Sequence, residues 1–418
     1  MKRFISKFVP QFCKNWYHLA LAIWANVYFG FPGKKLTIIG ITGTNGKTTT
    51  TQMIGLILRR AGIKTAVAST IDFWMGDEER VNTSKFTTTS AWELQRFLRE
   101  AVDKGMTHAV IETSSHALDQ YRVWGIPYQI AVMTNVTREH LDYHKTMERY
   151  RQAKQKLFTK SVYAVVNLDM EGPEYFASEH FKHGRAVTYS TKSHNADVLA
   201  KAIRLNFTKT EFRVDEQEYL IHIPGVFNIE NALAAIATAE LLKVAPEIIR
   251  DALASLSGVP GRMECFESRD GVDIIIDYAV TPDAFHKLYD SVRPLKIPGT
   301  KIIHVFGACG NRDRGKRPML GAIASEFADI VILTNEDPYY EDGEQIINEI
   351  EQGLTRTRSH EYYRIYDRRQ AIEKAFELAE RGDIVLVTGK GAETSMAIGD
   401  KRFPWNERQV IEEVLDEQ

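Results

Sequence analysis

The chain is poor in cysteine: Cys13, Cys265 and Cys309 are the three in 418 residues, far apart and without a C-x-x-C pair. That argues against a disulfide framework and a structural zinc site, and it predicts a reducing, cytoplasmic home. No sign of charge dominates. The formal net charge is −2, from 53 Lys+Arg and 55 Asp+Glu, which speaks against a broad nucleic-acid-binding surface. Long hydrophobic runs are missing too. The most apolar stretch, Trp16 to Phe31, is shorter than the roughly 20 residues that span a bilayer, and Asn26 interrupts it. No small-residue cleavage site is evident, so a signal peptide is a poor reading. There is no internal repeat and no low-complexity segment. What remains is an ordinary globular composition, 44% hydrophobic and 26% charged, with length for two or three domains.

The N-terminus carries two readings. Met1 to Lys14 is basic, and the apolar stretch follows directly. One reading is a helix packed on the domain that follows. The other is a membrane-surface helix, with Lys2, Arg3, Lys7 and Lys14 near headgroups.

The most informative segment is Gly40-Ile-Thr-Gly43-Thr-Asn-Gly46-Lys47-Thr48-Thr49-Thr50. It follows an apolar strand pattern, Leu36 to Ile41, and precedes a helical pattern, Thr48 to Arg60, that stops at Gly62. A glycine-rich turn between strand and helix offers backbone N–H groups to a phosphate chain. Lys47 then reaches the terminal phosphates, and Thr48 supplies a hydroxyl for Mg2+. The spacing departs from the usual phosphate loop, because position 41 is Ile where that loop has its first glycine. The order strand, loop, Lys-Thr and helix still points to a nucleoside triphosphate.

Beyond the loop, short apolar runs alternate with helical patterns. Strands are predicted at Thr65–Ser69, His108–Glu112, Ile130–Asn135 and Tyr163–Asn167, an antiparallel excursion within Ala196–Ile223, and a helix from Asn228 to Leu242. Gly258-Val-Pro260-Gly261 reads as a domain boundary. Further strands are predicted at Val272–Asp277, Ile302–Phe306, Ile330–Thr334 and Ile384–Val387. This rhythm predicts an α/β chain with mostly parallel sheets. The expected division is an N-terminal extension (1–33), a central phosphate-loop domain (34–258) and a smaller Rossmann-like domain (259–418). Glu112, Asn135, Asp277, Thr334 and Gly389 fall where strands end, which is where open α/β sheets bind ligands. Two such rims facing each other would form an inter-domain cleft.

Glu112, followed by Thr113-Ser114-Ser115-His116, is placed either for Mg2+ or as a helix N-terminal acid. With Asn135-Val-Thr-Arg-Glu-His-Leu-Asp-Tyr-His144, the sequence resembles the Mur ligases, the ATP-dependent amino-acid-adding enzymes of peptidoglycan synthesis. Within them it is similar to the branch that adds the third residue of the stem peptide. Tyr150-Arg-Gln-Ala-Lys154, Gly225-Val-Phe-Asn-Ile-Glu-Asn231, Gly261-Arg-Met-Glu264, Asp277-Tyr-Ala-Val-Thr-Pro-Asp283, Gly310-Asn-Arg-Asp-Arg-Gly-Lys-Arg317 and Gly389-Lys-Gly-Ala-Glu393 extend the resemblance to the C-terminus. Each motif alone is weak; together they are specific.

The resemblance implies roles. Gly43, Thr44, Asn45, Gly46, Lys47, Thr48 and Thr49 would cradle ATP. Thr48, Glu112 and His140 would hold Mg2+, and Lys154 would be carbamylated by CO2 to help hold a second Mg2+. Asn228 and Asn231 would lie near the adenine, and Asp277 at the ribose. Arg262 would reach the phosphates from the second domain. Thr87, Thr88, Ser114, Gln120 and Arg122 would contact the peptide precursor. Arg312, Asp337, Gly389 and Glu393 would bind the incoming amino acid. The implied catalytic set is Lys47, Lys154, His140 and Arg262. The implied reaction activates a carboxylate as an acyl phosphate and joins it to a free amino acid, in a monomer with no nucleic-acid partner.

Three departures qualify this. About 35 residues precede the first strand, too few for the family's UDP-gripping domain. The expected Asp-Asn-Pro-Arg motif reads Glu336-Asp337-Pro338-Tyr339, so the bidentate fork offered to meso-diaminopimelate is missing. Val280 stands where the family has histidine. Folylpolyglutamate synthase, another ligase with a non-UDP acceptor, and a non-catalytic ATP-binding scaffold are the alternatives. The first usually has Gly-Lys-Gly-Ser at the loop, against Gly46-Lys47-Thr48-Thr49 here. A lipid-linked precursor amidating ligase would carry a four-cysteine zinc insertion, for which there are too few cysteines.

Overall fold

The computed structural model describes residues 10–82, 84, 86–354 and 361–417. Its larger sheet has eleven strands: β1 (Thr37–Thr42), β2 (Thr65–Ala68), β3 (Asp72–Met75), β4 (Glu78–Val81), β5 (His108–Glu112), β6 (Tyr128–Met133), β7 (Tyr163–Asn167), β8 (Ala186–Ser190), β9 (Val198–Leu205), β10 (Thr210–Val214) and β11 (Gln217–Ile221). Their order is β11-β10-β9-β8-β7-β6-β1-β5-β2-β3-β4. The middle, from β9 to β2, is parallel, and both ends are antiparallel. Strands buried on both faces need apolar residues at nearly every position. That is why β1, reading Thr-Ile-Ile-Gly-Ile-Thr, is buried from Ile38 to Thr42.

One face of this sheet is covered by helices Lys47–Arg60, Val226–Leu241 and Pro246–Ala254, the other by Ala91–Asp103, Met147–Phe158 and Glu174–Lys182. The Ala91–Asp103 helix starts at a full capping box, Ser90 with Glu93. Gly40 is needed for the packing. A Cβ there would lie 2.6 Å from the Tyr128 ring and 2.9 Å from Leu157 Cδ1. Its absence lets the Met147–Phe158 helix, which carries Lys154, settle against β1.

The second sheet comprises β12 (Glu264–Glu267), β13 (Asp273–Asp277), β14 (Ile302–Phe306), β15 (Ile330–Leu333), β16 (Glu361–Arg364) and β17 (Ile384–Thr388), ordered β12-β13-β17-β14-β15-β16. Only β12 runs antiparallel to its neighbour. One buried apolar cluster runs from Ile39 and Met53 of the first sheet layer through Ile229, Val259 and Met263 to Phe285 and Phe306 of the second. The two sheets therefore share a packed boundary.

His304, on β14, is fully buried between the Tyr289 hydroxyl (2.6 Å) and the Thr388 hydroxyl (2.9 Å). Burial pushes its pKa down to about 3. A depressed native pKa gives stability that is complete above the unfolded histidine value and lost as pH falls below it. Between pH 7 and 5 the unfolded chain takes up a proton that native His304 refuses, a cost of about 2 kcal/mol. Urea unfolding of His304→Gln should therefore show a pH 7-to-5 loss smaller than the parent's by about that amount. An equal loss in both proteins would refute this.

The helix predicted over the apolar stretch spans Gln11–Tyr28. It buries Ala22, Ala25 and Asn26, and contacts the Ala91–Asp103 helix. Asn26, which breaks the apolar run, donates to the Ala22 and Trp124 carbonyls, 2.8 Å each. Lys2, Arg3 and Lys7 lie outside the described residues. No helix among the described residues is long and apolar enough to cross a membrane.

Candidate active site

The loop from Gly43 to Gly46 leaves β1 and opens the Lys47–Arg60 helix. Gly46 is its N-cap, at φ 81°. A Cβ at Gly46 would lie 2.2 Å from Asn231 Oδ1, so glycine is required by both the turn and its neighbour. Lys47 Nζ donates to the Thr44 carbonyl (2.8 Å). Its pKa is lowered by burial, and the Arg262 charge adds to this.

Glu112, the last residue of β5, meets this helix from the neighbouring strand. Its Oε2 accepts from Thr48 Oγ1 (3.0 Å), Thr70 N (2.8 Å) and Thr70 Oγ1 (2.8 Å). Nothing in the sequence singled out Thr70, which lies in a short turn between β2 and β3. His140 has left-handed backbone (φ 57°), and its ring lies 4.7 Å from that of His116. Burial first, then the His116 charge, holds its imidazole well below the usual histidine pKa. The neutral form is the one that ligates metals.

Lys154 is 1% exposed, and its Nζ donates to the Gly43 carbonyl at 2.6 Å. The ammonium position sits 4.6 Å from the centre of the Tyr150 ring. Among the described residues it has no carboxylate partner within salt-bridge distance. Burial, reinforced by the Lys47 charge, pushes its pKa far down. A buried, unpaired ammonium is costly, so this environment favours the neutral amine.

The second sheet faces this rim. Together they enclose a cleft of about 300 Å³, whose walls include Asn45, Lys47, Thr48, Thr49, Glu112 and His140 on one side. Arg262, Asp277, Arg312, Asp337, Tyr339 and Glu393 line the other side. Contacts cross directly: Asn45 Nδ2 donates to Asp283 Oδ2 (2.7 Å), and Lys316 Nζ lies 3.7 Å from Glu139 Oε1. Arg262 stacks on Tyr278, 4.4 Å from the ring centre. Asp277 accepts from the Met263 backbone N–H at 2.7 Å.

Lys390 organises the far end. Its ammonium pairs with Asp337 (3.0 Å) and with Glu393. Burial alone would lower its pKa, but the two carboxylates outweigh it and hold the charge. Gly389 follows β17, with Glu336 behind it. Lys390 belongs to the Gly389–Glu393 motif, but no local pattern announces its role; only the fold shows its three-residue reach to Glu393 and its pairing with Asp337.

Not every expected residue lines the cleft. Thr87 does. Thr88, Ser114, Gln120 and Arg122 form an adjoining polar cluster: Thr88 Oγ1 accepts from Ser114 N (2.9 Å), and Arg122 donates to Gln120 Oε1 (2.9 Å) and the Thr88 carbonyl (3.2 Å). Asn231 reaches the cleft wall. Asn228 is 1% exposed, donates to the Pro224 carbonyl (2.7 Å) and accepts from Asn231 (3.0 Å). It supports the loop from beneath.

The Mur ligase middle domain description matches residues 41–239, and the Mur ligase, glutamate ligase domain description matches residues 261–391. A UDP-N-acetylmuramoyl-L-alanyl-D-glutamate--2,6-diaminopimelate ligase of Clostridium tetani (strain Massachusetts / E88) is 39% identical over 404 residues, covering 95% of this chain and 81% of that protein. The chain belongs to the Mur ligase family. It is accordingly an ATP-dependent ligase that joins an acid to an amino acid.

Further relatives agree. A UDP-N-acetylmuramyl-tripeptide synthetase of Roseiflexus sp. (strain RS-1) is 39% identical over 421 residues, 96% of this chain and 82% of that protein. A solved UDP-N-acetylmuramoyl-L-alanyl-D-glutamate--2,6-diaminopimelate ligase superposes with a TM-score of 0.64 at 33% identity, covering 92% of this chain and 79% of that one. Mycobacterium tuberculosis folylpolyglutamate synthase, complexed with ADP and AMPPCP, shares the fold: TM-score 0.71, 16% identity, 89% and 92% coverage. The Mur family's two-sheet architecture is thus the architecture of this chain.

Proposed function

We propose that this Mur ligase adds a single amino acid to a peptidoglycan-precursor peptide, as a monomer, in the cleft between its two sheets. The observation that carries this reading is the cleft itself. A phosphate loop with Lys47 on one wall faces Arg262, Arg312 and the Lys390-centred carboxylates on the other. Phosphoryl transfer needs cations around the transferring group, and the second step needs a place for the amine.

In this reading the acceptor carboxylate attacks the γ-phosphorus of ATP, the bond to the β-phosphate oxygen breaks, and ADP leaves. The amine of the amino acid then attacks the acyl carbon, loses a proton and expels phosphate. Lys47 and Arg262 balance charge on the phosphates. Arg312 holds the amino acid's carboxylate, and Glu393 its ammonium before attack. Closure of the two walls keeps water from the acyl phosphate.

The chemistry of the donor set fits Mg2+. Thr48 Oγ1 and Glu112 are hard oxygen donors 3.0 Å apart, and the His140 ring is held neutral. Mg2+ bound there supplies charge neutralisation to the triphosphate. Lys154 suits a carbamate because a neutral amine adds to CO2. Its nitrogen bonds the carbon and releases a proton, leaving an anionic oxygen donor beside Lys47 for a second Mg2+.

The amino acid is set by residues around Tyr339. Its ring lies 5.3 Å from the Arg402 guanidinium, and a phenol offers a second carboxylate no fork. Mass-spectrometric ligation screens should use muramyl dipeptide acceptors, with and without the UDP group, against lysine and meso-diaminopimelate. We expect ATP-dependent addition of one residue, with lysine used within about tenfold of meso-diaminopimelate. ATP turnover that never responds to acceptor plus amine would sink the proposal.

A further inference from the structure

The Gln11–Tyr28 helix presents an uninterrupted apolar stripe to solvent. Trp16 (70% exposed), Tyr17, Ala20, Ile23, Trp24 (58%), Val27 and Tyr28 (65%) are all exposed. They recur at i, i+1, i+4, i+7, i+8, i+11 and i+12, which is one side of a helix. The opposite side is already buried through Ala22, Ala25 and Asn26, Asn26 donating to the Trp124 carbonyl, and the helix packs against the Ala91–Asp103 helix. Trp92 extends the stripe, stacking 4.9 Å from Trp24 and 4.9 Å from Tyr28. Scattered surface hydrophobics need no explanation; a contiguous patch of three tryptophans and two tyrosines does.

Charge says what covers it. The whole chain is slightly acidic, yet residues 1–71 contain ten Lys+Arg and no Asp or Glu. Four of those cations, Lys2, Arg3, Lys7 and Lys14, flank the start of the helix in sequence, and Lys34 and Lys35 follow its end, both exposed. The helix itself has no acidic residue. Nearby carboxylates are engaged: Glu93 in its capping box, and Asp119 with Lys156 at 2.9 Å. Tryptophan and tyrosine favour the lipid headgroup region, and lysine next to an apolar face favours anionic headgroups.

We infer that the Trp16–Tyr28 stripe, with Trp92, Lys34 and Lys35, lies in the interfacial layer of an anionic lipid bilayer. The helix lies on the surface and does not cross it. Its polar edge ties this surface to the active site. Gln11 donates to the Tyr143 hydroxyl (2.9 Å), which in turn receives a bond from Gln120 (3.3 Å). Docking would therefore hold the Gln120–Arg122 side of the molecule against the bilayer.

The full chain should be mixed with unilamellar vesicles of phosphatidylcholine alone or of equal parts phosphatidylcholine and phosphatidylglycerol, then sedimented. We expect about tenfold more protein with the anionic vesicles, a blue shift in tryptophan emission, and release at about 0.5 M salt. Trp16→Glu with Trp24→Glu should lower binding about tenfold while ATP turnover is unchanged. Lys34→Glu with Lys35→Glu should do so without touching the apolar stripe. Failure of the parent to bind anionic vesicles would overturn the inference. So would binding that neither pair of substitutions alters, or a dimer in sedimentation that the tryptophan substitutions dissociate, which would assign the stripe to a second copy. ATP turnover is read separately, so failure here leaves the proposed ligation untouched.

Discussion

Lys47→Ala should lower the ligation rate about 10³-fold, because the cation that meets the transferring phosphoryl group is lost. The fold should survive: among the described residues Lys47 Nζ is hydrogen-bonded to one carbonyl, Thr44 O, and its pKa is already lowered by burial. A second consequence follows from its neighbour. The Lys47 charge helps depress the Lys154 pKa, so Lys47→Ala raises it and reduces the neutral amine at 154. Steady-state ADP release, with acceptor and amine present, measures the first effect. Thermal unfolding within a few degrees of the parent would show that the loss is chemical. A fall of less than about tenfold would place the triphosphate elsewhere.

Lys154→Ala should be as damaging, for a different reason. Lys154 must become an anion to hold the metal, and alanine cannot. We expect ligation to fall at least 100-fold, on the order of losing a group that holds a catalytic metal. Acetate or propionate at high concentration should restore part of the rate, since a small carboxylate can occupy the space left beside Gly43 and Tyr150. Lys154→Arg should not be rescued, because its guanidinium fills the space and stays charged. Labelled bicarbonate should give the parent a carbamate carbon resonance that Lys154→Ala lacks. Unchanged turnover in Lys154→Ala would remove the carbamate from the mechanism.

The residues that bear on these two experiments were legible in the sequence to different degrees. Lys47 was readable because its loop is local: β1, the glycines and the following helix are contiguous, and the helix begins one residue before the Thr48 start that the pattern predicts. The parallel strands were readable because burial on both faces forces unbroken apolar runs; β5, β7 and β14 fall on their predicted residues. The predicted excursion at 196–223 appears as β9, β10 and β11, though it extends the main sheet. The β3–β4 hairpin was not found. Its outer strand, Glu-Glu-Arg-Val, is exposed at every position and shows no alternation. For the same reason the mostly exposed edge strand β16 went unseen.

Lys154 shows the limit. On its helix it reads as a solvated lysine, and only the resemblance to a family suggested more. Its burial depends on Gly40 admitting that helix to β1, a contact across more than 110 residues of sequence. Thr70 on Glu112, Asn45 on Asp283 and Lys390 on Asp337 are likewise long-range pairs with no local signature. Asn228, expected near the adenine from its motif, sits beneath the loop with its amide on the Pro224 carbonyl, a partner the motif does not announce.

The central claim is that ATP activates a carboxylate by phosphorylation in the cleft. It is tested most directly with an acceptor whose reacting carboxylate carries oxygen-18, ligated under turnover with ATP and the amino acid. Attack on the γ-phosphorus followed by amine attack on the acyl carbon predicts one labelled oxygen in each phosphate released and the other in the new amide carbonyl. Phosphate free of label while the amide forms would contradict the account.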